Sequence, residues 1–375
     1  MKFYLRFFIV LCLVFSSCKK ENKKSETIEK KLVRTVEKDT VFSKLIIPDS
    51  LGVTGADGVI SFPMENGSST FMMGDSFVAK VENGKRDPDS KMINNTFIVL
   101  GKNKKESKAI FKGDFANPET MLVPNQDNGN YEFYWPGHGY EYKNELHVFM
   151  SRFIHIDPID GGWNFKYIGT DYLKLEKDTY KIISQENFPY SNINGVHYGH
   201  SMLKEGEYTY IYGTWHDKTN ANLHVARAKM NDTTNKLNQF EFFNGKDWSV
   251  NSIDTQPLKG INKLTPEQFS IFKYGDKYVF VMQERGLFTG NIYSYISDTP
   301  TGPWRNEKHL YHTTEQENIK DEIFTYNAMS HPQYITDNKL LVSYCVNSFI
   351  VPSIHENVSF YRPRFIWIPM EKILE

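Results

Sequence analysis

The chain repeats one pattern: a short run of apolar, aromatic or β-branched residues, a polar or glycine-containing turn, and a second such run. This is the signature of a β-hairpin. Few stretches show the apolar spacing of three and four that marks an amphipathic helix, so helices should be scarce. The pattern predicts an all-β domain over residues 41–375. Five hairpins stand out, with turns at Asn66, Asn144, Gly206, Gly275 and Asp337.

The five turns follow one another at intervals of about 60 to 80 residues, which suits four-stranded blades with outer loops of variable length. Five such units predict a five-bladed β-propeller. The alternative, an irregular β-sandwich, predicts no such register. A strand that ends at Ser297-Asp298, followed by a Pro/Gly turn and Trp304, resembles a segment that recurs in five-bladed glycosidase propellers. Its physical content is a tight turn capped by a Trp packed between blades.

The first 18 residues read as a secretory signal, with a charged start, an apolar run from Phe7 to Phe15, and Ser16-Ser17-Cys18. The apolar run is too short to cross about 30 Å of hydrocarbon. Small residues directly before Cys18 resemble a bacterial lipobox, which predicts a lipidated Cys18; an ordinary cleaved signal is the alternative. Residues 19–40 are rich in Lys and Glu and are predicted to form a flexible charged tether.

Composition narrows the function further. With Cys12 in the signal and Cys18 at the anchor, Cys345 alone remains in the domain, so no disulfide framework is expected there. A formal net charge of -1 offers no electrostatic reason to bind nucleic acid. We expect a monomeric cell-envelope lipoprotein, periplasmic or on the cell surface, that meets the membrane only through its lipid anchor.

In a propeller the first strand of each blade is innermost, so its entrance faces a shared axial pocket. Every predicted entrance carries a polar or ionisable side chain, which would be costly if buried without a partner. For each His alone, an imidazole satisfied by backbone groups is the alternative, and three convergent His could instead hold a structural metal ion at the axis. The predicted pocket residues are Asp57, His138, His200, Glu267, Gln268 and His331.

Two carboxylates belong to the first hairpin. Strands paired around the turn at Asn66 should bring their distant ends together, so Asp57 and Asp75 are predicted to be neighbours. Paired carboxylates are what glycoside hydrolysis uses, and their separation decides its stereochemistry. A turn cap or a partner for Arg is the alternative role for each. Gly74-Asp75-Ser76 also looks like an esterase nucleophile block, but a late Asp-x-x-His and helical layers are missing from the sequence.

Several segments occur in one order along residues 50 to 370: Gly55–Gly58, Met72–Phe77, Asn94–Thr96, Tyr208–Gly213, Ser330–Pro332 and Leu341–Tyr344. Together they resemble the five-bladed propeller hydrolases of the bacterial endo-D-arabinanase type. The resemblance implies a two-Asp active site at Asp57 and Asp75, acting on a furanose-rich or related polysaccharide. More distantly, the layout resembles arabinanase, invertase and phosphorylase propellers, in which an Asp of the first blade is also catalytic.

Those more distant enzymes use a Glu acid from a later blade, for which Glu119 and Glu267 are the candidates. The resemblance also adds Asn95 to the expected substrate-binding residues. Aromatic side chains near strand entrances could stack on sugar rings, although most aromatics in such a protein are core. They are Trp135, Tyr198, Trp215 and Tyr326.

Two other functions remain open. A non-catalytic glycan-binding surface lipoprotein would keep the aromatic platform and the pocket without needing two close carboxylates. A structural or protein-binding propeller would favour an exposed apolar face over a polar axis. The sequence as a whole favours a glycoside hydrolase that needs no cofactor.

The predicted anchor can be tested directly. Changing Cys18→Ala removes the thiol that would carry the lipid, so the protein is expected to move from the membrane fraction to the soluble fraction. Fractionation and immunoblotting measure this. An unchanged distribution between the two fractions would contradict lipidation at Cys18.

Overall fold

The structure is a computed structural model, and it describes residues 35–125, 131–157, 164–286 and 288–375. The predicted signal peptide, Cys18 and most of the tether lie outside the described residues. The described chain consists mostly of β-strands. The first eleven strands are β1 (Glu37–Asp39), β2 (Leu51–Ala56), β3 (Ile60–Pro63), β4 (Ser69–Met73), β5 (Ser76–Glu82), β6 (Lys85–Arg86), β7 (Met92–Ile93), β8 (Thr96–Leu100), β9 (Ser107–Ile110), β10 (Lys112–Gly113) and β11 (Pro118–Glu119).

The remaining strands are longer on average. They are β12 (Glu132–Tyr142), β13 (Glu145–His155), β14 (Phe165–Glu176), β15 (Ile182–Phe188), β16 (His197–Glu205), β17 (Tyr208–His216), β18 (Ala221–Asn231), β19 (Lys236–Phe243), β20 (Trp248–Ser249), β21 (Ser270–Tyr274), β22 (Lys277–Gln283), β23 (Asn291–Ser297), β24 (Arg305–His312), β25 (Ile323–Thr336), β26 (Lys339–Ser348) and β27 (Arg364–Pro369).

Helices are short, as the scarcity of helical spacing predicts. The described α-helices are α1 (Val41–Ile46), α2 (Tyr190–Asn194), α3 (Val351–Glu356) and α4 (Met370–Leu374). Single 3-10 turns occupy Ser252–Asp254, Glu315–Glu317, Ile319–Asp321 and Val358–Tyr361. Within the part of the chain that the structure describes, no helix has the length and apolar character needed to cross a membrane.

The described strands form seven antiparallel sheets; two smaller ones are β2-β5-β6, with β7 also paired to β5, and β10-β11, and the other five follow one another in chain order. Their strand orders are β3-β4-β8-β9, β12-β13-β14-β15, β16-β17-β18-β19-β20, β21-β22-β23-β24 and β25-β26-β27-β1. The five predicted hairpins are confirmed as the first two strands of these sheets. At two of the turns both central residues have positive φ, at Lys143-Asn144 and at Asp337-Asn338, which matches the twist of tight hairpins.

Neighbouring sheets pack face to face through buried apolar clusters. The first strand of each sheet contacts the first strand of the next, from β3 through β12, β16 and β21 to β25, and β25 contacts β3 in turn. Each large cluster likewise joins two consecutive sheets, and one of them joins the last sheet to the first. The first strands of the five sheets therefore lie next to one another.

The last sheet takes its outer strand from the beginning of the described chain. In β1, Glu37 pairs with Trp367 of β27, and the indole N–H of Trp367 donates to Asp39 Oδ2 at 2.9 Å. The predicted tether of residues 19–40 therefore extends too far, because Glu37–Asp39 is a strand. The polar sequence of this segment does not indicate a strand, because an edge strand can pair through its backbone alone.

Trp304 occupies the interface that the sequence predicts for it. The indole is buried, and its ring lies 5.7 Å from that of Phe280 in an edge-to-face arrangement. The surrounding cluster also contains Tyr212 and Leu223 from the preceding sheet. This side chain therefore seals two neighbouring sheets against each other.

Replacing Trp304 by Ala should leave a large cavity at this interface. We expect the free energy of unfolding to fall by about 3 to 5 kcal/mol, as for other buried Trp truncations. Chemical denaturation measures the change. Val250→Ala is the control, because the Val250 side chain is 80% exposed. Equal denaturation midpoints for the two variants would contradict the assigned packing.

Candidate active site

Asp57 and Asp75 meet where two antiparallel ladders are interrupted. The β2–β5 ladder ends at the pair Ala56↔Ser76, and the β3–β4 ladder continues in the same register beyond the break. The two aspartates therefore lie opposite each other in the gap, as the hairpin geometry predicts. The backbone N–H of Gly74 donates to the carbonyl of Asp57 at 2.9 Å and holds the two segments together.

Two glycines make this close approach possible. A Cβ atom on Gly74 would overlap Oδ1 of Asp57, so the carboxyl group occupies the space that any larger residue would fill. Gly58 has a φ of 81°, and a Cβ there would lie 2.9 Å from the backbone nitrogen of Gly74. The glycines therefore fix the position of the Asp57 carboxyl as well as the turn.

Asp57 is half-buried and accepts a hydrogen bond from the hydroxyl of Tyr326 at 2.8 Å. Burial, followed by the nearby charge of Asp75, raises the pKa of Asp57 to about 7. The Tyr326 hydrogen bond acts in the opposite direction, since it stabilises the ionised form. A proton is therefore shared unequally within the pair near neutral pH.

Asp75 has a different set of partners. Its Oδ1 accepts hydrogen bonds from the indole N–H of Trp135 at 2.8 Å and from the side-chain amide of Asn94 at 3.3 Å. Burial raises the pKa of Asp75 to about 6, and the two donors counteract part of that rise. The hydroxyl of Tyr361 also donates to the Asp75 carbonyl at 3.0 Å, which fixes the backbone. Asp75 is thus held by groups that favour its ionised form.

Aromatic rings flank the Asp75 side of the pair. The Trp135 ring lies 4.6 Å from both Phe153 and Phe165, and 5.5 Å from Phe133. These contacts fix the indole plane and leave Trp135 half-buried. The second sheet therefore supplies an apolar wall beside the carboxylates.

A second aromatic group lies on the Asp57 side. Phe324 lies 5.3 Å from Tyr326, and Phe349 lies 4.5 Å from Phe324 and is exposed at the surface. Phe324 and Tyr326 belong to the last sheet, and Phe349 directly follows its strand β26. The paired carboxylates therefore sit between aromatic groups of two different sheets, an arrangement suited to the apolar faces of sugar rings.

Ser76, the serine of the esterase-like block, is not placed for nucleophilic chemistry. Its side chain is buried and its hydroxyl donates to the carbonyl of Gly74 at 2.8 Å. The interpretation of Gly74-Asp75-Ser76 as a strand end rather than a nucleophile block agrees with this geometry.

The polar atoms of Asn95 are used inside the protein. Asn95 is buried, its amide donates to the carbonyls of Leu122 and Tyr134, and its oxygen accepts from the N–H of Leu122. All of these bonds are internal, so the expectation of substrate binding is corrected. The preceding residue, Asn94, contacts Asp75 instead, and it belongs to the same segment Asn94–Thr96.

His331 is also corrected to an internal role. The imidazole is buried, with Nδ1 2.6 Å from the Ser61 hydroxyl and Nε2 2.9 Å from the Ser343 hydroxyl. Both ring nitrogens are therefore satisfied, and neither can bind a ligand. The ring links the first sheet to the last.

Three other entrance residues keep unpaired polar atoms. Within the described residues, Nδ1 of His138, both ring nitrogens of His200 and Oε1 of Gln268 are buried without a hydrogen-bond partner. Burial lowers the pKa of each histidine to about 4, so both rings are neutral at neutral pH. His138 and His200 belong to the first strands of two consecutive sheets, and Gln268 lies two residues before the first strand of the next, so these atoms make this part of the interior polar.

The other predicted residues have surroundings of their own. Glu267 binds Arg285 at 2.5 Å and lies 3.2 Å from His216. Tyr198 is buried in the apolar core, and Glu119 is exposed on the short strand β11. No described contact joins any of these three predicted residues to Asp57 or Asp75.

No metal-binding group is evident in residues 35–125, 131–157, 164–286 and 288–375, because nowhere do three His, Cys, Asp or Glu side chains converge suitably. The histidines expected at the axis do not form such a group. Tyr361 was missed by sequence reasoning, since it lies in a 3-10 turn more than 280 residues beyond Asp75 with no local motif.

Comparison with solved structures supports the fold. A crystal structure from Bacteroides ovatus ATCC 8483, named a "putative hydrolase", has a TM-score of 0.73 and 20% identity, covering 89% of this chain and 90% of that one. A Bombyx mori GH32 β-fructofuranosidase gives 0.48 and 12%, covering 93% and 66%. A Xanthomonas citri GH43_1 enzyme complexed with xylose gives 0.48 and 11%, covering 91% and 92%. At such identities the likeness concerns the fold alone.

Fold and site together define a mostly β protein with a paired-carboxylate candidate active site. The chain belongs to the family described as "Domain of unknown function (DUF5005)", whose model matches residues 39–369. No curated protein matches the chain in sequence.

The raised pKa of Asp57 makes a prediction about stability. Between the ordinary value of 3.8 and about 7, the folded state keeps a proton that the unfolded state loses. The contribution of Asp57 to stability is therefore complete below pH 3.8 and is lost as the pH rises through 7. We expect Asp57→Asn to raise the melting temperature at pH 8 but not at pH 4.

Thermal unfolding of wild type and variant at both pH values measures this difference. Asp89→Asn is the matched control, because Asp89 is exposed and is expected to change the melting temperature little at either pH. A stabilisation by Asp57→Asn that is equal at pH 4 and pH 8 would contradict the raised pKa.

Proposed function

We propose that this chain is a glycoside hydrolase that cleaves O-glycosyl bonds of a polysaccharide or oligosaccharide with Asp57 and Asp75. The observation that carries the proposal is the pair itself: two half-buried carboxyls, opposite each other in one register, with different hydrogen-bond partners. Such a pair can hold one protonated and one ionised carboxyl at the same pH.

The hydrogen-bond partners of the two carboxyls indicate which one is the acid and which one is the base or nucleophile. An indole N–H can only donate, so the bond from Trp135 to Asp75 favours the carboxylate form. A tyrosine hydroxyl can donate or accept, so Tyr326 can serve Asp57 whether or not Asp57 is protonated. The pKa of about 7 for Asp57 and about 6 for Asp75 points the same way. Asp57 is the acid, and Asp75 is the base or nucleophile.

Each carboxyl then has a defined step. Asp57 gives its proton to the departing glycosidic oxygen as the bond to the anomeric carbon breaks. Asp75 either attacks that carbon or removes a proton from the attacking water. The aromatic rings on both sides, Trp135 and Tyr326 among them, exclude water and support the sugar faces.

The architecture belongs to the same proposal. The five sheets, the contacts between their first strands and the packing of the last sheet on the first support a five-bladed β-propeller. The sequence resemblance to the bacterial endo-D-arabinanase type supports a furanose-containing, arabinan-like substrate. In this proposal the protein acts as a monomer at the cell envelope, periplasmic or at the cell surface, anchored through Cys18.

Substitution of the pair tests the reaction. Asp57→Asn and Asp75→Asn keep the size of the side chains but remove acid and base, so each should lower turnover by about a hundredfold to ten-thousandfold. The wild-type pH profile of kcat/KM should be bell-shaped, with an optimum between about 6 and about 7. Release of reducing ends from arabinan and related polysaccharides measures both.

Asp89→Asn, an exposed site, is the control and should keep wild-type turnover. Near wild-type rates for both pair variants would overturn the assignment. Glycan binding with no cleavage of any polysaccharide would favour the alternative, a non-catalytic glycan-binding lipoprotein.

A further inference from the structure

A second concave site lies on the sheet formed by β16 to β20. Its cavity has a volume of about 440 Å³, within the range of about 300 to 1,000 Å³ common for small-molecule sites. Its walls come from α2, from the end of β17, from the start of β18, and from the segment around the 3-10 turn Ser252–Asp254. None of the residues that contact Asp57 or Asp75 lines this cavity.

One face of the β17–β18 ladder forms its floor. Trp215 and Asn222 are directly opposite each other in the register, and His224 follows two residues after Asn222. Since side chains alternate along a strand, these three project from the same face. Gly195 borders the indole, and a Cβ there would lie 3.4 Å from Nε1 of Trp215, so the glycine leaves that edge open.

The floor has unused hydrogen-bonding groups. Across the described residues, no partner contacts the indole N–H of Trp215 or the side-chain amide of Asn222, and both side chains are half-buried. Hydrogen-bonding side chains in partly buried positions usually find a partner. Here the partner must come from solvent or from a ligand.

The cavity is also uncharged. Nδ1 of His224 lies 3.1 Å from the Thr255 hydroxyl, which fixes the ring, and burial lowers the pKa of His224 to about 4. The imidazole is therefore neutral at neutral pH. The other described lining residues carry no Asp, Glu, Lys or Arg, so nothing in the cavity matches a charged ligand.

We propose that this cavity is a second carbohydrate-binding site, which takes one neutral sugar ring of a polysaccharide against the face of Trp215. An indole face suits the C–H face of a sugar ring, while Asn222, His224 and the exposed amide of Gln256 suit its hydroxyl groups. A purely apolar ligand would leave those polar groups unpaired. The ligand class follows from the cavity alone and does not depend on the hydrolase proposal.

The cavity lies at the same strand ends as the predicted entrances, since Thr214, next to Trp215, pairs with His197 at the start of β16. Trp215 directly precedes His216, whose imidazole lies 3.2 Å from Glu267, and Glu267 lies two residues before Phe269 at the start of the fourth hairpin. A polysaccharide chain lying across these ends could therefore occupy the cavity with a sugar distant from the carboxylate pair.

Affinity electrophoresis of the full chain in native gels tests the site, with arabinan, xylan, levan or mannan in the gel. The Asp57→Asn background prevents turnover of the probe. We expect at least one polysaccharide to retard the parent, and Trp215→Ala to weaken that binding about tenfold or more. Trp215→Phe, which keeps an aromatic face, should retain most of the binding.

Trp248→Ala is the matched control, because Trp248 belongs to the same sheet but packs against Arg227 at 4.1 Å outside the cavity. Asn222→Ala provides a second, smaller change should Trp215→Ala fail to fold, and it should also weaken binding. Unchanged retardation of both cavity variants, or no retardation of the parent by any of the four probes, overturns the proposal. Loss of binding in the cavity variants with normal cleavage by Asp57→Asn would refute the hydrolase assignment and leave this site standing.

Discussion

The close approach of two backbone segments at Gly58 and Gly74 is the constraint on which the site depends. It places two carboxyls in a gap between antiparallel ladders, where burial and mutual repulsion work against ionising both. A larger residue at Gly74 would displace the Asp57 carboxyl, because that carboxyl fills the space beside the glycine. The raised pKa values of the pair therefore depend first on backbone geometry, and residues of other sheets modify them.

The difference between the two carboxyls comes from other sheets. Trp135 of the second sheet donates to Asp75, whereas Tyr326 of the last sheet donates to Asp57. Neither contact can form unless the last sheet packs on the first and the second packs beside it. The packing of the sheets therefore stabilises the fold and also makes the two acids chemically unequal. A change at a sheet interface can alter the acidity of the pair without touching either carboxyl.

Entrance residues of the same chemical type serve different purposes in different sheets. Both ring nitrogens of His331 hydrogen-bond to serine hydroxyls, and the bond to Ser61 links the last sheet to the first. His200, at the equivalent entrance of the third sheet, keeps both ring nitrogens unpaired, and Gln268, just before the first strand of the next sheet, keeps its oxygen unpaired. The interior is therefore polar along part of the ring of first strands and closed by internal hydrogen bonds elsewhere. The predicted sugar-stacking aromatics also differ in position. Trp215 lines a separate cavity, although the sequence groups it with Trp135.

The sequence by itself determined the all-β class, the five hairpins and the proximity of Asp57 to Asp75, because each depends on local alternation and on pairing around one short turn. It could not determine which polar side chains are available to a ligand, so it predicts substrate binding for Asn95 and His331 although their hydrogen bonds are internal. It also missed Tyr361, which reaches Asp75 from the far end of the chain. Only the tertiary structure decided these points, since a side chain's hydrogen-bond partners depend on segments that the packing of separate sheets brings together.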